Sequence, residues 1–146
     1  MKHTLALAFA MVICVTPVVH SGDAKEDAKL MEGVWTPMTA ELAGTKFPDE
    51  ILKTMKLTLK GDAYTVDVGG KLDKGTCKID ATKTPKTLDI TGTDGPNKDK
   101  TILAIYEVTK DSLKVCYDLT GKARPKEFKT EAGSQHFLVV YQREKK

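Results

Sequence analysis

The side chains able to do chemistry in this 146-residue chain are few and widely spaced. Past residue 21 there is one histidine, His136, beside Gln135 and far from any nucleophile motif. Triad chemistry needs a histidine next to a serine or cysteine nucleophile, and none is signalled. A zinc site needs ligand spacings such as Cys-x-x-Cys or His-Glu-x-x-His, which are absent from the sequence. Asp49 and Glu50 are mere chain neighbours, which does not make an acid/base pair. Gly61, Gly69, Gly70 and Gly75 fall at hairpin positions, and no phosphate-cradling glycine loop occurs. The sequence therefore reads as a non-enzymatic chain with no metal or cofactor. What remains is a set of hydroxyls on apolar faces. Tyr64, Tyr106 and Tyr117 share the inward parity of their segments. With Leu57, Leu59, Val66, Ala104 and Phe137 they make a candidate wall for a small, apolar ligand with one polar end. The competing reading is a filled interior with each hydroxyl satisfied locally, which suits a structural or protein-interaction domain. An interior cavity above about 300 Å³ separates the two.

The elements that must position these side chains are strands. From Leu30 onward the apolar residues recur with period two, and turn residues punctuate them regularly. Eight strands are expected: 33–42, 55–60, 63–68, 75–80, 86–91, 101–109, 112–119 and 136–143. The sixth is apolar throughout, as a strand covered on both faces would be. Phe47 to Thr54, opening Pro48-Asp49-Glu50, reads as one short helix. Eight sequential strands with one greasy face need closure, because an open sheet leaves two bare edges. The expected fold is all-β, an eight-stranded antiparallel up-and-down barrel. A two-sheet sandwich is the alternative, but short hairpins without long crossovers favour the barrel.

The N-terminus reads as an address. Lys2 and His3 precede a 15-residue apolar run, Leu5 to Val19, after which charge appears abruptly at Asp23. That is the layout of a signal peptide, expected over residues 1–21, with cleavage after Ser21 or, second, after Ala24. Cys14 sits within the run after Ile13, which makes a lipoprotein a minor alternative. Residues 22–29 read as a charged flexible linker and 30–144 as the domain. Removing residues 1–21 takes away one lysine and no acid, so 125 residues and a charge of +2 remain. Lysines alternate with acids and threonines, so nucleic acid is not an expected partner. No transmembrane segment is expected in the mature chain, which reads as an exported monomer, periplasmic or extracellular. Cys77 shares the inward face with Ile79, while Cys116 has outward parity, so no disulfide between them is expected.

Gly33-Val34-Trp35 opens the first strand and Arg143 closes the last, an arrangement that resembles the G-x-W signature of lipocalins and their calycin relatives. The chain also resembles an uncharacterised family of small secreted lipocalin-like domains of planctomycete bacteria. The matching stretches include Gly75 to Asp80, Thr84 to Ile90, Asp111 to Cys116, Arg124-Pro125 with Phe128, and Gly133-Ser134. The resemblance implies a barrel closed at the Trp35 end, with Arg143 stacked on the indole. It implies ligand entry at the opposite end, near Glu41 and Leu42, under the short helix. It assigns no activity. Arg124 to Phe128 reads either as a lid at one barrel end or as a loop pinned by Pro125, with Arg124 on a neighbouring carboxylate.

Overall fold

The computed structural model describes residues 24–146. The expected signal peptide and the first residues of the expected linker lie outside the described residues. A helix α1 (Ala24–Met31) leads into β1 (Gly33–Leu42) and a two-residue β2 (Thr45–Lys46). Helix α2 (Asp49–Leu52) follows, then β3 (Met55–Lys60), β4 (Ala63–Val68), β5 (Lys71–Asp80) and β6 (Lys86–Asp94). The chain ends with β7 (Thr101–Val108), β8 (Ser112–Asp118) and β9 (His136–Arg143). Apart from the β2 stub, each strand pairs antiparallel with the next, and β9 returns to pair with β1 from Trp35↔Arg143 to Leu42↔Phe137. The result is the closed eight-stranded up-and-down barrel expected from the period-two pattern. Closure leaves no long sheet edge unpaired.

β7 and β8 each end one residue short of the expectation, and two boundaries differ by three residues or more for local reasons. β5 begins at Lys71, not Gly75, because Gly69 and Gly70 have φ of 59° and 89°. Two successive positive φ values make the tight hairpin turn whose twist matches the strands, so pairing resumes at once with Val68↔Lys71. β6 runs on to Asp94, past the expected Thr91, across a register shift between Lys74 and Gly75. In β1 the register shifts between Pro37 and Thr39, next to a proline that has no N–H for the ladder, and Met38 is turned outward.

The segment expected to be a linker is instead largely helical. α1 carries Glu26 and Asp27 in its first turn and Lys29 in its last, which complements the helix dipole. Asp27 is only 4% exposed. Its Oδ2 accepts a hydrogen bond from the Tyr106 hydroxyl at 2.8 Å and pairs with Lys86 Nζ at 2.7 Å. A charge cluster normally marks a solvated stretch. Here one of its acids is drawn inward by a buried hydroxyl and an ammonium, which dock α1 on the barrel.

β7 is covered on both faces, since successive residues Ile105 and Tyr106 are 1% and 0% exposed. The outer cover is the segment 119–135. Arg124 Nη1 donates to the carbonyls of Ala104 and Leu88 at 2.7 and 3.2 Å, and Nη2 meets Asp89 Oδ1 at 2.5 Å. Pro125 is buried, and Lys114 Nζ lies 4.4 Å from the Phe128 ring centroid. The loop is thus pinned along the barrel's flank, with Arg124 on a carboxylate. No described helix is long and apolar enough to cross a membrane.

Candidate functional site

Up-and-down topology puts the β3–β4, β5–β6 and β7–β8 turns at the Trp35 end. That end is shut. Trp35 is fully buried, and its Nε1 donates to the Met31 carbonyl at 2.9 Å. The Arg143 guanidinium carbon stands 4.2 Å from the centre of the indole. Its Nε donates to the Lys110 carbonyl at 2.6 Å, Nη1 to Glu32 at 2.5 Å, and Nη2 to the Leu30 carbonyl. One cation therefore covers an aromatic face and ties the β7–β8 turn to the α1–β1 junction. Gly33 has φ 136°, and a Cβ there would lie 2.5 Å from Arg143 Nη1. The glycine of the G-x-W signature is needed so that the guanidinium can reach the backbone.

Above this base lies a cavity of about 190 Å³. Its deep end touches Met31 of α1. Its mouth, at the opposite end of the barrel, is flanked by Met55, Val68 and Leu119. Six of the eight expected wall residues line it: Leu57, Leu59, Tyr64, Val66, Tyr117 and Phe137. Ala104 and Tyr106 do not. Both keep the inward parity expected of them, but the Tyr106 phenol is taken up by Asp27 of α1 and Ala104 is fully buried in the core. The Phe47 segment leans on the opening, with its ring centroid 5.5 Å from that of Phe137. Leu52 of α2 is buried in the core, yet neither residue lines the cavity.

The lining is apolar with three polar features. Near the mouth, Asp73 accepts hydrogen bonds from the Tyr64 hydroxyl at 3.2 Å, Asn97 N–H at 3.1 Å and Asn97 Nδ2 at 2.8 Å. On the β8–β9 wall, the hydroxyls of Tyr117 and Tyr141 are 3.2 Å apart. On β5, the Cys77 thiol faces the cavity. Burial, then the nearby Asp62 carboxylate, pushes this thiol up to about 12. Burial likewise pushes Tyr141 up to about 12, and holds Tyr117 and Tyr64 well above the ordinary phenol value. At neutral pH these groups are uncharged hydrogen-bonding partners, and the thiol is far from its nucleophilic form. Cys116 is on the outer face under segment 119–135, its Sγ 3.7 Å from the Lys129 carbonyl, and both described cysteines are free. His136 is not part of the lining. No group of three or more His, Cys, Asp or Glu is gathered among the described residues as a metal ion would need. What this arrangement can do is exclude water from a compact apolar body and offer it a few neutral polar contacts.

No family model matches the chain, and no curated protein matches it. Among solved structures, the chain is similar to a DUF4847 family protein from Bacteroides vulgatus. The sequence identity is 14% and the TM-score 0.50, over 83% of this chain and 99% of that one. At that identity the likeness is one of fold, and it fits the closed barrel.

Several lining residues were not selected from the sequence. Tyr141 was findable, because it shares the parity of Phe137 and Val139 on β9. Cys77 has the inward parity of Ile79, which is compatible with a place in the wall. Asp73 and Asn97 gave no usable signal. Asp73 falls between the expected strands 63–68 and 75–80, and Asn97 between 86–91 and 101–109. The loop folds back so that Asn97 seals an acid pointing inward, a contact made 24 residues apart.

Proposed function

We propose that this protein is an exported, non-enzymatic binding module of lipocalin-like design that holds one small, largely apolar molecule in its barrel. The cavity above Trp35 carries this reading. Its volume, about 190 Å³, does not reach the roughly 300 Å³ set above as favouring a ligand over a filled barrel, which is also the lower end for drug-sized molecules. It exceeds an engineered apolar cavity of about 150 Å³ that admits benzene. The ligand is therefore of the size of one substituted ring or a short branched chain. The stacked Trp35–Arg143 base supports lipocalin-like design, and the apolar run Leu5 to Val19 supports export. The modest volume also favours a second reading, a structural or interaction domain whose barrel carries no ligand.

Native mass spectrometry of protein from its own host, together with thermal denaturation against ring-sized apolar compounds, separates the two. A co-purified small molecule, or a melting temperature that rises with compound concentration, is the expected result. Neither effect with any compound of that size would leave the ligand-free reading standing.

A further inference from the structure

Tyr117 on β8 and Tyr141 on β9 present two hydroxyls to the cavity, 3.2 Å apart, and either can be the donor. Two hydroxyls carry two protons, and the bond between them uses one. Among the described residues neither oxygen has another hydrogen-bond partner. Tyr141 is buried and Tyr117 partly so, and both line the cavity, so the remaining donor faces the cavity. The pair thus keeps one O–H donor without a protein acceptor, and both rings face the same apolar space. The lining contains no lysine, arginine or histidine, and the Asp73 carboxylate stands near its mouth. An anion entering there meets a like charge and finds no counter-ion inside.

We propose that the Tyr117–Tyr141 pair selects the ligand, and that the cavity takes a neutral, compact apolar molecule bearing one hydrogen-bond acceptor of the carbonyl or ether class. The inference rests on the binding-module reading and adds the chemical class. Filling the site with a pure hydrocarbon leaves the free O–H buried and unsatisfied, while a carbonyl oxygen completes it. Removing one tyrosine hydroxyl is a poor test, because the survivor is then wholly free to donate. Removing both deletes the donor and strands no partner.

The test compares three probes on wild type and on Tyr117→Phe/Tyr141→Phe. The probes are acetophenone, its near-isostere α-methylstyrene with CH₂ in place of the carbonyl oxygen, and benzoate. Dissociation constants are read by titration calorimetry or ligand-observed NMR. Acetophenone should weaken about fivefold in the double variant, the size of one neutral hydrogen bond, while α-methylstyrene holds or tightens. Benzoate should bind neither protein measurably. The infrared carbonyl stretch of acetophenone bound to wild type should fall below its value in hexane, a readout independent of whether the variant folds. Equal changes for the two neutral probes, an unshifted stretch, or benzoate binding as well as acetophenone would overturn the inference and leave the binding module intact. Failure of both neutral probes to bind wild type would overturn the two together.

Discussion

Arg143 meets three backbone carbonyls and one indole face, so Trp35 and Arg143 hold the base as a unit. Trp35→Ala should cost about 3–5 kcal/mol, as large buried aromatics do. Arg143→Ala should cost less, about 1–2 kcal/mol, since its carbonyls lie near solvent and water can replace part of the donor set. Urea denaturation of both singles and the double should give a loss smaller than the sum, because the second substitution finds the contact already gone. Strict additivity would argue against coupling through the stack. Asp118 is a second residue whose surroundings set a measurable property. Burial pulls its carboxyl up, but the Ala123 N–H, the Thr120 hydroxyl and the N–H groups of Thr120 and Lys122 outweigh it, and the net shift is downward. A depressed folded-state value means stability present above the ordinary carboxylate range and lost as pH falls through the lowered one. Asp118→Asn replaces one acceptor oxygen with a donor facing N–H groups. It should lower stability at pH 7 by about 1–3 kcal/mol and flatten the loss below about pH 4, followed by urea midpoints across that range. The Trp35–Arg143 pair was legible from the sequence because strand order and a signature fixed it. The role of Asp118 was not, because its partners come from the irregular turn after β8.

At the scale of elements, period-two alternation placed all eight barrel strands and their inward faces, and the Pro48-Asp49-Glu50 opening placed the short helix after β1. It could not reveal α1. The eight residues of α1 look solvated, and their place depends on Asp27 finding Tyr106 and Lys86, 79 and 59 residues away in sequence. Parity therefore put Tyr106 in the ligand wall correctly as to direction and wrongly as to depth. Its phenol is held far above its ordinary value by burial and then by Asp27. Asp27→Ala should leave a buried hydroxyl and a partly buried ammonium unpaired, at about 1–3 kcal/mol. The same change made on Tyr106→Phe should cost less, since that hydroxyl is already absent. Hydrogen exchange is the sharper readout. Asp27→Ala should raise exchange in α1 and at the start of β1 while the β8–β9 ladder keeps its protection. Uniform acceleration throughout the barrel would instead mean that α1 is integral to global folding.

For the molecule as a whole, closure, a sealed base and a cavity toward the other end separate stability from occupancy. The base is made by α1, Trp35 and Arg143, whereas the cavity is walled by β3, β4, β8 and β9 with parts of β5 to β7. Substitutions should therefore fall into two independent sets. Val66 lines the cavity and is only partly buried, so its side chain borders space that a larger residue can enter. Val66→Phe should fill that space and abolish binding of a ring-sized apolar probe. Stability should hold or rise by up to about 1 kcal/mol, because added apolar area is buried without displacing core atoms. Tyr106→Phe should do the reverse. It removes a hydroxyl from the α1 anchor and leaves the cavity untouched, so the protein should lose about 1 kcal/mol and keep its probe affinity. Thermal melts with and without probe measure both quantities on the same samples. If Tyr106→Phe lost the probe and Val66→Phe retained it, the ligand would lie at the α1 end, and the site described above Trp35 would be the wrong one.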